Sequence, residues 1–199
     1  SIKQLDLSLL YVDNNYLLGG NITNLFESMH NLNRLGLSFC NFTGNLPELN
    51  TTQLWSAYLN NNNFYGQIPR SWSSLSYLFV LDLSNNNLDG GLHHIMELDN
   101  LYVLKITNNN FSNYFPIFRN SYIANFQAYG NDFIGSLEPS YRLAIANITG
   151  NPKAKYDWKC VPNYDILTIY DDKLCPALSC SYTTIIFSDP EYYDFVYCF

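Results

Sequence analysis

Residues 32–47 read Leu32-Asn33-Arg34-Leu35-Gly36-Leu37-Ser38-Phe39-Cys40-Asn41-Phe42-Thr43-Gly44-Asn45-Leu46-Pro47, and this stretch decides the fold because the chain repeats it. Apolar residues stand at offsets 0, +3 and +5 (Leu32, Leu35, Leu37), with Cys40 at +8, Phe42 at +10, Gly44 at +12 and Leu46-Pro47 at +14 and +15. The same offsets from Leu54 give Leu54, Ala57, Leu59, Asn62, Phe64, Gly66, Ile68 and Pro69. From Leu78 they give Leu78, Leu81, Leu83, Asn86, Leu88, Gly90 and Leu92. From Leu101 they give Leu101, Leu104, Ile106, Asn109, Phe111, Asn113, Phe115 and Pro116, and from Ile123, Ile123, Phe126, Ala128, Asn131, Phe133, Gly135 and Leu137. A partial turn, Leu143, Ala146, Ile148 and Asn151, ends at Pro152. Starts are 22, 24, 23, 22 and 20 residues apart, a period that belongs to solenoids.

A turn before these is read from Ile2, Leu5 and Leu7, rejoining the pattern near Leu18, Gly20 and Ile22. It is about six residues too long on the repeat count, so residues 9–15 are expected to bulge out as an insertion.

Each offset has a physical reason. Positions 0, +3 and +5 frame a short strand whose alternate side chains point inward. At +8 the chain turns and leaves backbone groups inside, where an asparagine carboxamide can satisfy them. Asn62, Asn86, Asn109, Asn131 and Asn151 are read as a stacked ladder, with Cys40 in place of one rung as a small buried free thiol. Glycine at +12 permits a tight path, and the apolar-Pro pair runs extended. No turn buries its own core, so stability comes from stacking.

The pattern resembles the leucine-rich-repeat family, and Gly44-x-Leu46-Pro47 and Gly66-x-Ile68-Pro69 look like its plant-receptor-type subclass. The resemblance covers residues 1–152 and implies an α/β-type repeat solenoid of about seven turns. Short parallel strands would dominate, with little helix, in a curved right-handed superhelix with a concave sheet and a second short-strand face. On the remaining residues, 153–199, Asn151-Pro152 followed by Trp158-x-Cys160 looks like the cysteine-bearing cap of such arrays. That segment is read as a disulfide-bearing cap or the start of a following β-rich domain. Cys160, Cys175, Cys180 and Cys198 imply two disulfides with three possible pairings. The stretch after Ser181 is rich in tyrosine and β-prone.

Charged residues are only 14% of the 199, the net charge is −7, and twenty-seven asparagines supply the polarity. This excludes a nucleic-acid partner, because phosphate neutralisation needs clustered Lys and Arg. No run of 18 apolar residues is present to span a bilayer. The chain opens at Ser1 without a signal peptide and is taken as a processed or excised piece. Five Asn-x-Ser/Thr sequons, at Asn21, Asn41, Asn50, Asn110 and Asn147, together with the cysteines, point to a secreted or cell-surface glycoprotein.

No catalytic constellation is found. His93 and His94 are adjacent, lack acidic neighbours at metal-ligand spacing, and are read as surface loop residues. The acidic residues Asp171, Asp172, Asp189, Glu191 and Asp194 lack a calcium-loop pattern. No enzyme activity, metal or cofactor is expected, N-linked glycans aside. What remains is surface. The outward positions of the concave sheet present Asp6, Gly36, Tyr58, Asp82, Lys105, Gln127 and Asn147 at +4, with Arg34, Phe39, Ser56, Asn60, Asn125 and Tyr129 beside them. Tyr58, Asp82, Lys105, Gln127 and Tyr129 form the candidate stripe, suited to a protein, peptide or glycan ligand of a receptor or adhesion ectodomain. The alternative is a structural glycoprotein that self-assembles into oligomers or filaments through its solenoid ends and its Tyr-rich C-terminal strand.

Overall fold

The computed structural model describes residues 5–117, 122–137 and 143–154 in full, and the backbone alone of three later strands. The chain order is β1 (Leu9–Tyr11), β2 (Gly20–Asn21), β3 (Arg34–Gly36), β4 (Phe42–Gly44), β5 (Ser56–Tyr58), β6 (Asn63–Gly66), β7 (Val80–Asp82) and β8 (Asn87–Gly90). Then come β9 (Val103–Lys105), β10 (Asn110–Phe111), β11 (Asn125–Gln127), β12 (Ile145–Asn147), β13 (Leu167–Tyr170), β14 (Ile185–Asp189) and β15 (Tyr192–Cys198). These strands make two sheets. The larger has ten strands in the order β1-β3-β5-β7-β9-β11-β12-β13-β14-β15, and the smaller has five, β10-β8-β6-β4-β2. Every pairing is parallel except β14 with β15. A sheet of parallel neighbours joined by long returns is what one strand per turn produces.

The core lies between the sheets. Leu54, Ala57, Leu59, Phe64 and their counterparts Leu78, Leu81, Leu83, Leu88 are fully buried, as are Phe111, Phe126 and Phe133. In the return segment Trp72 is buried on a 3₁₀ helix, Arg70–Ser74, that starts after Pro69. Its indole nitrogen donates to the Pro47 carbonyl of the turn before at 3.0 Å, so this bulky side chain is both packed and satisfied.

The asparagine column closes the strand turn. Asn62 Nδ2 donates to Leu37 O of the preceding turn (2.8 Å) and to Leu59 O of its own (3.1 Å), while its Oδ1 accepts from Phe42 N–H at 3.0 Å. Asn86, Asn109, Asn131 and Asn151 repeat this arrangement one turn at a time. Cys40 stands in the same column, its thiol donating to Val12 O at 2.9 Å. Burial, with Asp13 nearby, holds this thiol above its ordinary pKa, against the opposing bond from Asn15.

The first turn departs from the sequence reading. Residues 9–15 are not an insertion: β1 is Leu9–Tyr11, and it pairs with β3 as Leu9↔Arg34, Leu10↔Leu35 and Tyr11↔Gly36. Leu7, Leu10 and Val12 therefore hold the 0, +3 and +5 places, and Asn15 at +8 donates to Val12 O and Asp13 O. Ile2, Leu5, Leu7 and Leu7, Leu10, Val12 fit the apolar offsets equally well, and the turn residues choose between them. Tyr11 consequently takes the +4 place read for Asp6, whose carboxylate accepts from the Asn31 side chain at 2.5 Å. The extra residues sit between Asn15 and β2, since Gly20 pairs with Phe42, and Leu17 among them is fully exposed.

Candidate ligand-binding surface

Strand alternation turns the residues at +2 and +4 away from the core, and register then sets them side by side. Tyr11, Gly36, Tyr58, Asp82, Lys105, Gln127 and Asn147 are successive Cα partners across the large sheet. Four of the five stripe residues, Tyr58, Asp82, Lys105 and Gln127, therefore stand in one row, each half-buried. Tyr129 stands past the end of β11 and is exposed, so it borders the row rather than joining it. Asp82 and Lys105 are cross-strand neighbours, and the Asp82 carboxylate accepts from Ser84 N–H at 3.0 Å. Gln127 donates to Asn125 Oδ1 at 2.8 Å. Gly36 interrupts the row for a steric reason: a Cβ there would collide with the side chains of Tyr11 and Asp13, which lie across it.

The structure adds a feature absent from the outward strand positions. One residue after the first apolar position, Trp55, Phe79 and Tyr102 stack on successive turns. Ring centroids are 5.4 and 5.0 Å apart and the planes lie within 6° and 2° of parallel. Backbone bonds hold the spacing: Phe79 N donates to Trp55 O at 2.9 Å and Tyr102 N to Phe79 O at 3.0 Å. Arg34, at the outward +2 place of its turn, lies over Trp55 with its guanidinium carbon 5.0 Å from the ring centre. The rings thus border the outward face of the sheet, with Trp55 and Tyr102 39% and 45% exposed. The sequence carries the signal as an aromatic at +1 in three consecutive turns.

Asn21, Asn41, Asn50 and Asn110 are exposed and Asn147 is half-buried. His93 is exposed, and His94 titrates below the usual imidazole range through desolvation, His93 and Arg70. Among the described residues no group of three or more His, Cys, Asp or Glu is arranged to hold a metal. Cys160, Cys175, Cys180, Asp171, Asp172 and Glu191 lie outside the described residues, as do the side chains of Asp189, Asp194 and Cys198. The expected disulfides fall there.

The Leucine Rich Repeat family matches residues 77–98. Receptor-like protein 41 of Arabidopsis thaliana is 38% identical over 95 residues, which are 45% of this chain and 10% of that protein. Receptor like protein 22 of the same plant is 34% identical over 124 residues, 60% of this chain and 15% of that protein. The chain thus spans a small part of the curated relatives it matches. Among solved structures, the ectodomain of the receptor kinase SOBIR1 from Arabidopsis thaliana aligns with a TM-score of 0.53 at 35% identity, covering 57% of this chain and 64% of that one. The Arabidopsis receptor kinase HAESA, in complex with the peptide hormone IDA and the co-receptor SERK1, aligns with a TM-score of 0.63 at 23% identity. It covers 90% of this chain and 30% of that one, a likeness of fold. Period, ladder, paired parallel sheets and matched proteins agree that the described turns form a solenoid of the leucine-rich-repeat fold.

Proposed function

We propose that this chain is part of the extracellular face of a plant cell-surface receptor and recognises a protein or peptide ligand along its large sheet. The carrying observation is the continuous row Tyr58, Asp82, Lys105 and Gln127, bordered by the stacked rings of Trp55, Phe79 and Tyr102, with Arg34 over Trp55. Aromatic anchors beside one acidic, one basic and one amide group offer an extended peptide both apolar contact and register. Aromatic and arginine side chains of this kind dominate binding energies. Curated relatives named as receptor-like proteins support this reading. So does HAESA, a solenoid of this fold solved in complex with a peptide hormone. Among the described residues no helix is long and apolar enough to cross a membrane.

The test is to pan the secreted chain against a displayed peptide library and titrate the recovered peptides into variants. Tyr58→Ala and Lys105→Glu are expected to weaken binding by about tenfold or more, and Tyr65→Ala on the small sheet by less than about twofold. Peptides that respond to Tyr65→Ala and ignore the row would move the site to the opposite face and end this reading.

A further inference from the structure

We propose that Asn41 carries an N-linked glycan whose first N-acetylglucosamine is seated against the ring of Phe39. This rests on reading the chain as a secreted glycoprotein, and goes beyond it by selecting one sequon and naming what holds the sugar.

The seat begins with a backbone anomaly. The +7 residue of each described turn is left-handed: Asn14 (φ 63°), Phe39 (57°), Asn61 (57°), Asn85 (57°), Asn108 (51°), Gly130 (64°) and Gly150 (65°). Asparagine and glycine enter that region readily, whereas a bulky side chain is disfavoured in it. Only Phe39 among these carries a large side chain, and its ring is 38% exposed, so core packing does not account for it. Backbone strain of this kind gathers where a side chain has a ligand to meet.

Asn41, two residues on, is also left-handed (φ 58°). Phe39 and Asn41 therefore line one hollow of about 460 Å³ together with Tyr16, Asn61, Asn63 and Asn85. The Asn41 carboxamide is oriented within it. Its Oδ1 accepts from Asn63 Nδ2 at 2.7 Å, on the side of the following turn. Its Nδ2 faces the preceding turn, where a Cβ built on Gly19 would stand 3.6 Å away. Gly19 has no side chain, so none from that position crowds the nitrogen that takes the sugar.

In the transfer, this nitrogen attacks C1 of a lipid-pyrophosphate-linked oligosaccharide supplied by the secretory pathway. The new C–N bond replaces the C–O bond to pyrophosphate, which leaves with the electron pair, and the amide gives up one proton. The C–H face of the linked pyranose then meets the Phe39 ring, with Tyr16 of the preceding turn beside it. The other sequons lack an aromatic residue two places before the asparagine, having Gly19, Glu48, Asn108 and Ile145 there.

The experiment secretes the whole chain from a plant host, maps occupancy by glycopeptide mass spectrometry, and follows native release by peptide N-glycosidase at each site. Asn41 is expected to be occupied and to be among the slowest sites released. Phe39→Asn, which restores the residue type of neighbouring turns, should speed release at Asn41 alone by about threefold to tenfold, the factor one ring contact supplies. Phe39→Tyr should preserve the slow release. Circular dichroism verifies that both variants fold. No occupied sequon at all would end the glycoprotein reading and this proposal together. Occupied sequons with Asn41 empty would end the proposal alone. An occupied Asn41 whose release ignores Phe39→Asn would remove the seat.

Discussion

A ladder asparagine sits where three carbonyls and an amide would otherwise face the core. Asn86 Nδ2 donates to Leu59 O and Leu83 O, both at 3.0 Å, and to Ser84 O at 3.4 Å, while its Oδ1 takes the Phe64 N–H at 3.0 Å. Asn86→Ala leaves those groups buried without a substitute and should cost roughly 2–4 kcal/mol in a urea titration. Asn87→Ala, an exposed neighbour, should cost less than about 0.5 kcal/mol. At this scale much was legible in the sequence. A carboxamide that recurs every 20 to 24 residues, always three places past the last apolar strand position, marks a turn whose inward backbone needs a partner. Cys40 falls in the same column by its offset, and its thiol can give a bond but offers little as an acceptor. The left-handed +7 backbone was not legible. Asparagine there, as at Asn61 and Asn85, reads as ordinary surface polarity until its φ is seen.

Among elements, the three stacked rings offer the clearest measurement. Phe79 lies between Trp55 and Tyr102, so Phe79→Ala removes both stacks and should destabilise the solenoid by about 1–3 kcal/mol. Near-ultraviolet circular dichroism would report the lost order, and an unchanged spectrum and unfolding midpoint would show the rings to be independent. Strand alternation does not reveal this stack, because +1 lies just before the strand begins and follows no inward-outward rule. The misplaced first strand has a different origin. Apolar residues at Ile2, Leu5, Leu7, Leu10 and Val12 permit two frames. The ladder place of Asn15 and the left-handed Asn14 distinguish them, and both express backbone geometry more than hydrophobic pattern. The row from Tyr58 to Gln127 was legible because parallel pairing in constant register carries one offset across every strand.

At the scale of the whole molecule, apolar stacking and amide bonding hold the described residues, with little from charge among them. The ion pair Lys153–Asp132 found among the described residues, 2.6 Å long, is largely exposed at both ends, and such pairs contribute little. Raising sodium chloride from about 0.05 to 0.5 M should therefore move the thermal midpoint by less than about 2 °C. A larger fall would reveal a charge network in the chain. The ladder has a further consequence for how such a molecule can change in length. Each rung is satisfied by its own turn and the one before, so the bonding of one joint does not depend on distant joints. A whole turn can be duplicated or excised and the cut ends will rejoin with every carboxamide matched. Removing half a turn would put a leucine where an amide belongs. The solenoid is thus quantised: its length changes in complete units, and each unit gained or lost adds or deletes one position along the outward row.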